Sequence, residues 1–342
     1  MRDGDILILK GHEILSLLTG RELELIEAVR MAYLTHAAGQ SSLPRSTFLS
    51  FDGQPKDRII ALPAYLGEEF GVAGIKWIAS FPGNLSQGMD RASAVIILNS
   101  PRTGRPEAFI EGSIISAKRT AASAVLAAQT LHAGQFATTV GLLGCGVINY
   151  EIARFMLAAS IGVERFIVYD TAERRAVQFK YKCERLSKRI SVEVVRDPQT
   201  VLREAKLVSL ATTAIQPHIN DLSGCQPGST ILHVSLRDLS PEVILVSDNV
   251  VDDVDHVCRA QTSIHLAEQL TGTRDFIRCT LADVLTGKAA PRIDAESISV
   301  FSPFGLGVLD LAVANFARDL GLKQNPAAVI TSFLPAAWET RD

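Results

Sequence analysis

The order of hydrophobic and polar positions divides the chain into two regions with different periods. From residue 138 onward, short apolar runs alternate with segments of helical period. The strand-like runs are TTVGLLG, VERFIVYD, ISVEVV, LVSLATT, STILHVSL and DNVVDDVD, and the helical segments include NYEIARFMLAAS, TAERRAVQFKYKCERLSKR and PQTVLREA. Because parallel strands are joined by crossover helices, this alternation predicts an α/β fold with a doubly wound parallel sheet.

The first 120 residues carry a mixed pattern. GRELELIEAVRMAYLTHAAG has the period of an amphipathic helix, with Gly39 as its stop. The runs RIIALPAYL, GVAGIKWIASF and ASAVIILNS are short and strand-like, with glycine and proline between them. SPRTGRPEAFIEG predicts a hairpin whose turn lies at Arg102–Gly104 and whose return strand starts at Pro106. We therefore expect an antiparallel or mixed sheet with one or two helices.

Two further segments flank the alternating region. SAKRTAASAVLAAQTLHAG (116–134) predicts a strong helix that ends at Gly134. At the far end, ISVFSPFGLGVLDLAVANFARDLG predicts a strand, a glycine turn and a helix. A helix so late in the chain could return to the first domain, which would make that domain discontinuous.

Composition narrows the possible classes of protein. Of 342 residues, 47% are apolar and 21% are charged, as in packed soluble proteins. The net charge of −3 gives no electrostatic signature for nucleic acid or an anionic membrane. No apolar run approaches the ~18–20 residues of a membrane span, and Lys10, His12 and Glu13 interrupt the N-terminal apolar stretch. We expect a cytoplasmic protein without a signal peptide.

The cysteines and histidines give no indication of a metal site. The five cysteines are scattered without a CxxC pair, and the seven histidines form no HxxxH cluster. Cys145 lies inside a glycine-rich turn that needs a small residue, and we interpret it as space-filling rather than nucleophilic.

That turn, in TVGLLGCGVIN, resembles a dinucleotide-binding fingerprint with one departure. Gly144 permits the tight turn, Gly146 lets the backbone approach a pyrophosphate, and the helix starting at Val147 and Ile148 offers unpaired N–H groups. The position usual for a third glycine holds Asn149. Because that position concerns helix–strand packing, we expect Asn149→Gly to leave NAD affinity nearly unchanged.

The next strand, FIVYD, ends in Asp170, 24 residues after Gly146 and near the spacing expected for a ribose-binding carboxylate. Strand, turn, helix and acid together predict a nucleotide site; the alternative is a glycine turn in a nucleotide-free domain. Asp170 favours NAD over NADP, although Arg174 and Arg175 lie near enough to leave both open. Thr212, after a later strand, is added to the expected cofactor-binding residues.

Four cations lie in or beside apolar segments: Arg45 in LPRSTF, Lys76 in GIKWIA, Arg91 in MDRASAVIIL and Arg119 in SAKRTAAS. Unpaired buried cations are costly, so convergence on a bound anion would explain them. The alternative is that each reaches solvent or pairs with a structural acid. The spacing of these four residues in the sequence does not decide between the two alternatives.

Asp238, in HVSLRDLSPEV, follows a predicted strand at the sheet edge where open α/β sheets bind ligands. It could act as a general acid–base. It could equally be a helix or turn cap beside Ser240 and Pro241.

These stretches together resemble the ornithine cyclodeaminase/mu-crystallin family, from about Pro44 to Asn315. The segments responsible are GIKW, SAKRTAASA, GLLGCGVIN, FIVYD and FSPFGLGVLDLA. DRIIALP, GIKWIAS, MDRASAVIILNSP and EGSIISAKRTAASAVLAA are similar to the branch that makes 2,3-diaminopropionate for siderophores and peptide antibiotics.

The resemblance implies a homodimer with a Rossmann domain, residues 121–306, inserted into an α+β substrate-binding and dimerisation domain of residues 1–120 and 307–342. It implies that Lys76 and Arg119 hold a substrate carboxylate and polarise the reacting centre, with Arg45 adding an anion contact. Asp238 would face the nicotinamide and handle protons and water. Asp310 matches an acid near the nicotinamide, with a substrate-binding or structural role.

For this branch the resemblance implies NAD-dependent cleavage of N-(1-amino-1-carboxy-2-ethyl)-L-glutamate. Hydride loss from the glutamate Cα and hydrolysis of the imine would give 2-oxoglutarate and L-2,3-diaminopropionate. The substrate has three carboxylates, and Arg91 is our hypothesis for an additional one. Alternative functions are an ornithine or lysine cyclodeaminase, an imine reductase, or a non-enzymatic nucleotide-binding protein of the mu-crystallin kind.

Overall fold

The computed structural model describes residues 4–132, 138–160, 162–323 and 328–340. Contacts divide the chain into two compact units. Unit 1 comprises Met1–Arg119 and Leu306–Asp342, and unit 2 comprises Thr120–Gly305. The roles expected for these parts of the chain, substrate binding with dimerisation and NAD binding, stay predictions.

The elements follow one another in a mixed order and then in regular alternation. The first part of unit 1 contains β1 (Ile6–Leu9), α1 (Gly11–Leu18), α2 (Glu22–Ala37), β2 (Ser41–Ser42), β3 (Thr47–Phe51), β4 (Gln54–Leu66), β5 (Val72–Ser80), β6 (Ala92–Asn99) and β7 (Pro106–Glu111). Helix α3 (Ser113–Leu131) contains the division between the units. Unit 2 continues with β8 (Thr139–Leu143), α4 (Val147–Ala158), β9 (Arg165–Tyr169), α5 (Glu173–Glu184), β10 (Ser191–Val194), α6 (Pro198–Glu204), β11 (Leu207–Leu210), β12 (Thr230–His233), α7 (Pro241–Leu245), β13 (Asp248–Val251), α8 (Val254–Val257), α9 (Ser263–Thr271), β14 (Ile277–Thr280), α10 (Leu281–Leu285) and β15 (Ser299–Ser302). Unit 1 is completed by α11 (Gly307–Lys323) and β16 (Val329–Ile330). Within the described ranges, no helix has the length and apolar character needed to cross a membrane.

Unit 1 is built on a mixed sheet of strand order β16-β1-β7-β6-β5-β4-β2, with β3 also paired to β4. The pair β1–β7 is parallel and the other pairs are antiparallel. Strands β6 and β7 form the hairpin that the sequence predicted around Arg102–Gly104.

Strand β4 is longer than its sequence pattern suggested. It runs for 13 residues and includes Pro63, a residue type that usually interrupts a strand. The proline is tolerated because of the neighbouring register: β3 pairs with β4 up to Ala61, and β2 pairs from Tyr65 onward. Pro63 therefore faces a gap on that side, where no ladder hydrogen bond requires its missing N–H.

The register of this sheet sorts its side chains onto two faces. Leu62, Lys76, Ile96 and Ile110 oppose one another across four strands and share the inner face. Helix α11 packs on this face: a Cβ on Gly307 would lie 3.2 Å from the Leu62 carbonyl oxygen. The missing side chain at the start of α11 thus lets the helix approach β4 closely, beside the strand that carries Lys76.

Helix α3 begins three residues earlier than the sequence pattern indicated. Glu111 stabilises this start, because its carboxylate accepts the backbone N–H groups of Ser113 at 2.7 Å and Ile114 at 3.1 Å. The expected stop at Gly134 lies outside the described residues.

Unit 2 contains the doubly wound sheet that the alternating pattern predicted, which confirms the fold class. Its strand order is β10-β9-β8-β11-β12-β15-β13-β14, and every pairing is parallel. The first five positions, β10-β9-β8-β11-β12, have the 3-2-1-4-5 order typical of dinucleotide-binding folds. Strand β14 was not expected, and β15 inserts between β12 and β13 rather than following them at the edge.

Candidate active site

A buried cluster in unit 1 joins three of the residues singled out in the sequence. Lys76 Nζ lies 2.5 Å from Asp310 Oδ2, and Arg119 Nε lies 2.9 Å from Asp310 Oδ1. Lys76 Nζ also donates to Ser116 Oγ at 3.2 Å. The exposed fractions are 2% for Lys76, 8% for Arg119 and 0% for Asp310. The alternative in which these cations pair with a structural acid is therefore observed for Lys76 and Arg119, and that acid is Asp310.

The fold brings these residues together from three distant segments. Lys76 points inward because of its parity on β5, and Arg119 lies on α3 three residues after Ser116, so both face the same side of that helix. Asp310 occupies the first turn of α11, directly after the close approach at Gly307. No local pattern joins them, since Lys76 and Asp310 are 234 positions apart.

The cluster carries more positive than negative charge. Burial lowers the pKa of Lys76 to about 8; Asp310 opposes this shift and Arg119 adds to it. Two cations share one carboxylate, so with Lys76 protonated these three side chains carry a net charge of +1. A buried excess of this kind is costly unless an anion offsets it, and a carboxylate ligand would do so.

The other expected anion-binding residues lie elsewhere in unit 1. Arg45 is exposed in the segment between β2 and β3, so the structure does not place it in this cluster. Arg91 is half-buried immediately before β6, where its carbonyl oxygen accepts the Phe81 N–H at 2.8 Å.

Arg58 is a candidate that the sequence reasoning missed. It opposes Ser80 in the register that sets Leu62 against Lys76, so Arg58 and Lys76 share the inner face. Its Nε is buried and has no hydrogen-bond partner among the described residues, and burial lowers the pKa of its guanidinium. The sequence contained the same indication for Arg58 as for Lys76, because Arg58 is a cation beside an apolar run in DRIIALP.

In unit 2 the glycine turn has the geometry of a phosphate-binding loop. Gly144 has φ +92°, and a Cβ there would lie 2.4 Å from the Ala211 carbonyl oxygen, so only glycine fits. Around Gly146, by contrast, the nearest atom to an added Cβ is Arg175 Nη2 at 3.9 Å. Helix α4 starts at Val147, with Ile148 next, and Gly146 offers its N–H groups no side-chain cap. This end can therefore accept the pyrophosphate of a dinucleotide.

Asp170 lies directly against this turn at the end of β9. Its Oδ2 accepts the Cys145 N–H at 2.8 Å and its Oδ1 accepts the Ala172 N–H at 2.9 Å. Arg175 Nε is 3.9 Å from Asp170 Oδ2, so the nearby arginine is partly neutralised by the acid. Burial and Asp170 together raise the pKa of the Cys145 thiol to about 12, which keeps the thiol protonated.

Asn149 holds the glycine turn in place through three hydrogen bonds in addition to packing against the strands. It is fully buried, its Nδ2 donates to the carbonyl oxygens of Leu143 at 2.8 Å and Gly144 at 2.7 Å, and its Oδ1 accepts from Ser209 Oγ at 2.8 Å. The amide thus ties strand β8, the turn and strand β11 together. This network revises the expectation that a glycine could replace Asn149 with little effect.

Asp238 forms the centre of a second polar cluster in unit 2. Its Oδ1 accepts from Thr212 Oγ1 and, at 3.0 Å, from His218 Nε2, while its Oδ2 accepts from Ser235 Oγ. Thr212 follows β11 and also adjoins Gly144, since a Cβ on Gly144 would lie 3.2 Å from the Thr212 Cα. The structure therefore brings Gly144, Thr212 and Asp238 together.

The alternative role of Asp238 as a helix cap does not hold. Ser240 is the N-cap of α7, where its side chain accepts the Val243 N–H. Two residues before Asp238, Leu236 has φ +68°, a left-handed conformation that is unfavourable for a branched side chain. Such strain commonly marks functional sites.

His233 fixes the backbone of Asp238. Its Nε2 accepts the Asp238 N–H at 3.1 Å, and its Nδ1 lies 3.2 Å from Ser302 Oγ. Because Nε2 is an acceptor, the ring is neutral with its hydrogen on Nδ1, and the 3.5 Å approach to Asp238 Oδ2 is not an ion pair. Burial favours the protonated acid, but hydrogen bonds, that of His218 foremost, outweigh burial and hold the pKa of Asp238 below its usual range.

Comparison with known proteins gives one consistent result. The family model for the ornithine cyclodeaminase/mu-crystallin family matches residues 7–325. N-((2S)-2-amino-2-carboxyethyl)-L-glutamate dehydrogenase of Staphylococcus aureus (strain NCTC 8325 / PS 47) is 31% identical over 306 residues, 88% of this chain and 90% of that protein.

Two solved structures match over nearly the whole chain. Δ1-pyrroline-2-carboxylate reductase of Thermococcus litoralis, in complex with NADH and L-proline, superposes with a TM-score of 0.86 at 26% identity, covering 95% of this chain and 100% of that one. An archaeal alanine dehydrogenase dimer with bound NAD gives 0.85 at 28% identity, covering 96% and 99%.

We expect Asn149→Ala to lower the free energy of unfolding by about 1–3 kcal/mol, because buried carbonyl and hydroxyl groups lose their partners. The loosened turn should also weaken NADH binding several-fold. Thermal unfolding and NADH fluorescence titration measure the two effects. Ser209→Ala, which removes one of the three hydrogen bonds, is the matched control and should lose less. Unchanged stability and affinity in Asn149→Ala would contradict this role of the Asn149 hydrogen bonds.

Proposed function

The chain belongs to the ornithine cyclodeaminase/mu-crystallin family, and from this premise we propose that it cleaves N-(1-amino-1-carboxy-2-ethyl)-L-glutamate oxidatively. The products are 2-oxoglutarate and L-2,3-diaminopropionate, a precursor for siderophores or peptide antibiotics. The observation that carries the proposal is the buried excess of positive charge in unit 1, which suits a substrate with three carboxylates. The similarity to the staphylococcal glutamate-adduct dehydrogenase supports it.

The chain is an NAD-dependent oxidoreductase, and the residues of unit 2 fit the cofactor. Gly144 and Gly146 leave room for the pyrophosphate at the start of α4, and Asp170 can accept the ribose hydroxyls. Solved relatives contain NAD or NADH. When bound, NAD+ supplies the hydride acceptor for the Cα–H bond beside the substrate nitrogen.

Lys76 and Arg119 hold the carboxylate of the reacting carbon. Arg119 contacts Asp310 through Nε, which leaves the outer edge of its guanidinium to form charge-assisted hydrogen bonds with a carboxylate. Asp310 keeps both cations in position and offsets one of their charges. Arg45, exposed between β2 and β3 and outside this cluster, is assigned a further contact with the substrate.

The remaining carboxylates of the adduct require further cations. Arg58 and Lys76 lie on the same inner face, because Arg58 opposes Ser80, four residues after Lys76 on β5. Four residues of strand separate the two positions by roughly 13 Å. Both side chains are long enough to reach into the space between them. Arg91 precedes β6, whose first residue Ala92 opposes Ser80, the partner of Arg58. We assign one additional carboxylate of the adduct to the end of the inner face where Arg58 and Arg91 lie.

Asp238 handles the proton chemistry. As an ionised, fully buried carboxylate it takes the surplus proton of the substrate's secondary ammonium, so that hydride loss leaves an iminium. Once this first proton has passed to solvent, Asp238 takes a proton from the water that attacks the iminium carbon and returns it to the nitrogen. When the carbon–nitrogen bond breaks, the hydroxyl proton passes through Asp238 to the departing amine, which leaves as a primary ammonium. Thr212 and Ser235 orient its two oxygens through hydrogen bonds.

We also propose a homodimer formed through the outer face of the unit 1 sheet. Pro63, Ile75, Ile97 and Phe109 oppose one another across four strands of this face, and Trp77 lies beside them. Trp77 and Phe109 are both exposed in the single chain. An apolar stripe of this kind is the type of surface that a second copy covers.

The test is one assay with NAD+ and the glutamate–diaminopropionate adduct, followed by NADH absorbance. We expect NADH, 2-oxoglutarate and diaminopropionate in equal amounts. Ornithine, lysine and a cyclic imine serve as alternative substrates: proline formation from ornithine would indicate a cyclodeaminase, and imine reduction with NADH would indicate a reductase. NADH binding without turnover of any of these would contradict the proposal.

Replacement of Arg58 by glutamine should raise KM for the adduct roughly ten- to a hundredfold, because one charge-assisted hydrogen bond is lost. Arg91→Gln should also raise KM. Arg30→Gln, on α2, where the side chain is 40% exposed and pairs with Glu27, is the control and should leave KM unchanged. An adduct that lacks the glutamate γ-carboxylate tests the assignment, since one of the two variants should no longer differ from wild type. Unchanged KM in both variants with the full adduct would contradict it.

The affinity for carboxylates should fall as the pH rises through about 8, because Lys76 then loses its charge. The lowered pKa sets this window; an unperturbed lysine would stay charged up to about 10.4. Inhibition by 2-oxoglutarate, which has no amine, measures the effect without titration of the substrate. Lys76→Arg, whose guanidinium does not titrate, should flatten the profile. A flat wild-type profile between pH 7 and 9.5 would contradict the role of Lys76.

A further inference from the structure

The reaction releases a proton that must leave a buried carboxylate. The adduct enters as a secondary ammonium; loss of H+ and hydride leaves an iminium, and water converts the iminium into a ketone and a primary ammonium. Each turnover therefore produces NADH and one free proton. Asp238, the proposed acceptor, is 0% exposed and cannot pass that proton directly to bulk water.

His218 connects this carboxylate to solvent. Its Nε2 lies 3.0 Å from Asp238 Oδ1, and its side chain is 45% exposed. Its backbone N–H also donates to the Asp238 carbonyl oxygen at 2.9 Å, which fixes the spacing of the two segments. One ring thus touches both the buried acid and water.

The other contacts of Asp238 do not offer this route. Thr212 and Ser235 present hydroxyl groups, which do not ionise near neutral pH. His233 is fully buried, and its Nε2 is occupied by the Asp238 N–H. Imidazole exchanges protons readily near neutral pH, so His218 is suited to the task by chemistry as well as by position.

We propose that His218 relays protons between Asp238 and bulk solvent during turnover; this rests on the proposed function. The proton on Asp238 Oδ1 moves to Nε2 while the hydrogen on Nδ1 moves to a water molecule. The carboxylate is left ionised and the neutral ring carries its hydrogen on Nε2, as a donor to Oδ1. The exposed ring then returns to the accepting tautomer by exchanging its hydrogens with solvent.

The low pKa of Asp238 supports this direction of flow, because the carboxylate gives up a proton readily to a neighbouring base. The role is one of relay and positioning, since His218 acts through Asp238. A purely positioning role makes a different prediction, because glutamine can also donate a hydrogen bond to Oδ1.

The first experiment compares His218→Gln and His218→Ala in adduct turnover. We expect kcat to fall roughly tenfold or more in both variants, with KM and NADH affinity changed less than about twofold. Added imidazole should restore kcat in proportion to its concentration and leave wild type unaffected. His12→Gln, exposed on α1, is the control. Full activity of His218→Gln would overturn the relay in favour of positioning, and lack of rescue by imidazole would also overturn it.

A second readout needs neither cofactor nor turnover. The ring nitrogen signals of His218 in the nucleotide-free protein, assigned by NMR with His218→Gln, should change in Asp238→Ala, because the ring loses the carboxylate that accepts the hydrogen on Nε2. Identical signals in the two proteins would overturn the contact. If wild type does not cleave the adduct but the signals change, the proposed substrate fails while the contact between His218 and Asp238 stands. If wild type cleaves the adduct and the signals do not change, the relay alone fails.

Discussion

The carboxylate of Asp310 is the constraint on which unit 1 depends. Lys76 on β5 and Arg119 on α3 are both buried, and neither could stay charged there without an anion between them. Asp310 supplies that anion from α11, so one carboxylate ties the sheet to two helices that lie far apart in the sequence. The ion cluster is neutralised only in part, so the interaction that holds these segments together also leaves an excess of positive charge there.

In unit 2 the buried polar side chains are held in position by hydrogen bonds in place of ion pairs. Strands β8 and β11 end beside each other. Asn149, in the first turn of α4, bonds to Leu143, Gly144 and Ser209, and Thr212, which follows β11, bonds to Asp238. These side chains are satisfied before any ligand binds. The turn and the carboxylate of Asp238 are therefore positioned by the sheet edge itself, where open α/β folds place their ligands.

The sequence predicted what depends on local periodicity and failed where contacts are distant. Alternation alone was enough for the parallel sheet, and the apolar runs around Lys76 and Arg119 marked both as unusual. Their shared partner could not be inferred, because no spacing rule relates Asp310 to a strand 234 positions earlier. Arg58 and His218 were missed for the same reason: one depends on a cross-strand register and the other on a loop that folds back to Asp238. The motif indicated a packing role for Asn149 but not its hydrogen bonds, because these join segments that the motif does not include.

The electrostatics also separate the proposed reaction from ring closure of a diamino acid. A cyclodeaminase must hold a cationic side chain and needs an acid to receive it. Asp310, the acid of the unit 1 cluster, already shares its charge between Lys76 and Arg119, so it has none left for a substrate ammonium. Arg58 on the same face of the sheet would repel such a group further. On the proposed function, these cations on the inner face of unit 1 would favour an adduct with three carboxylates over ornithine.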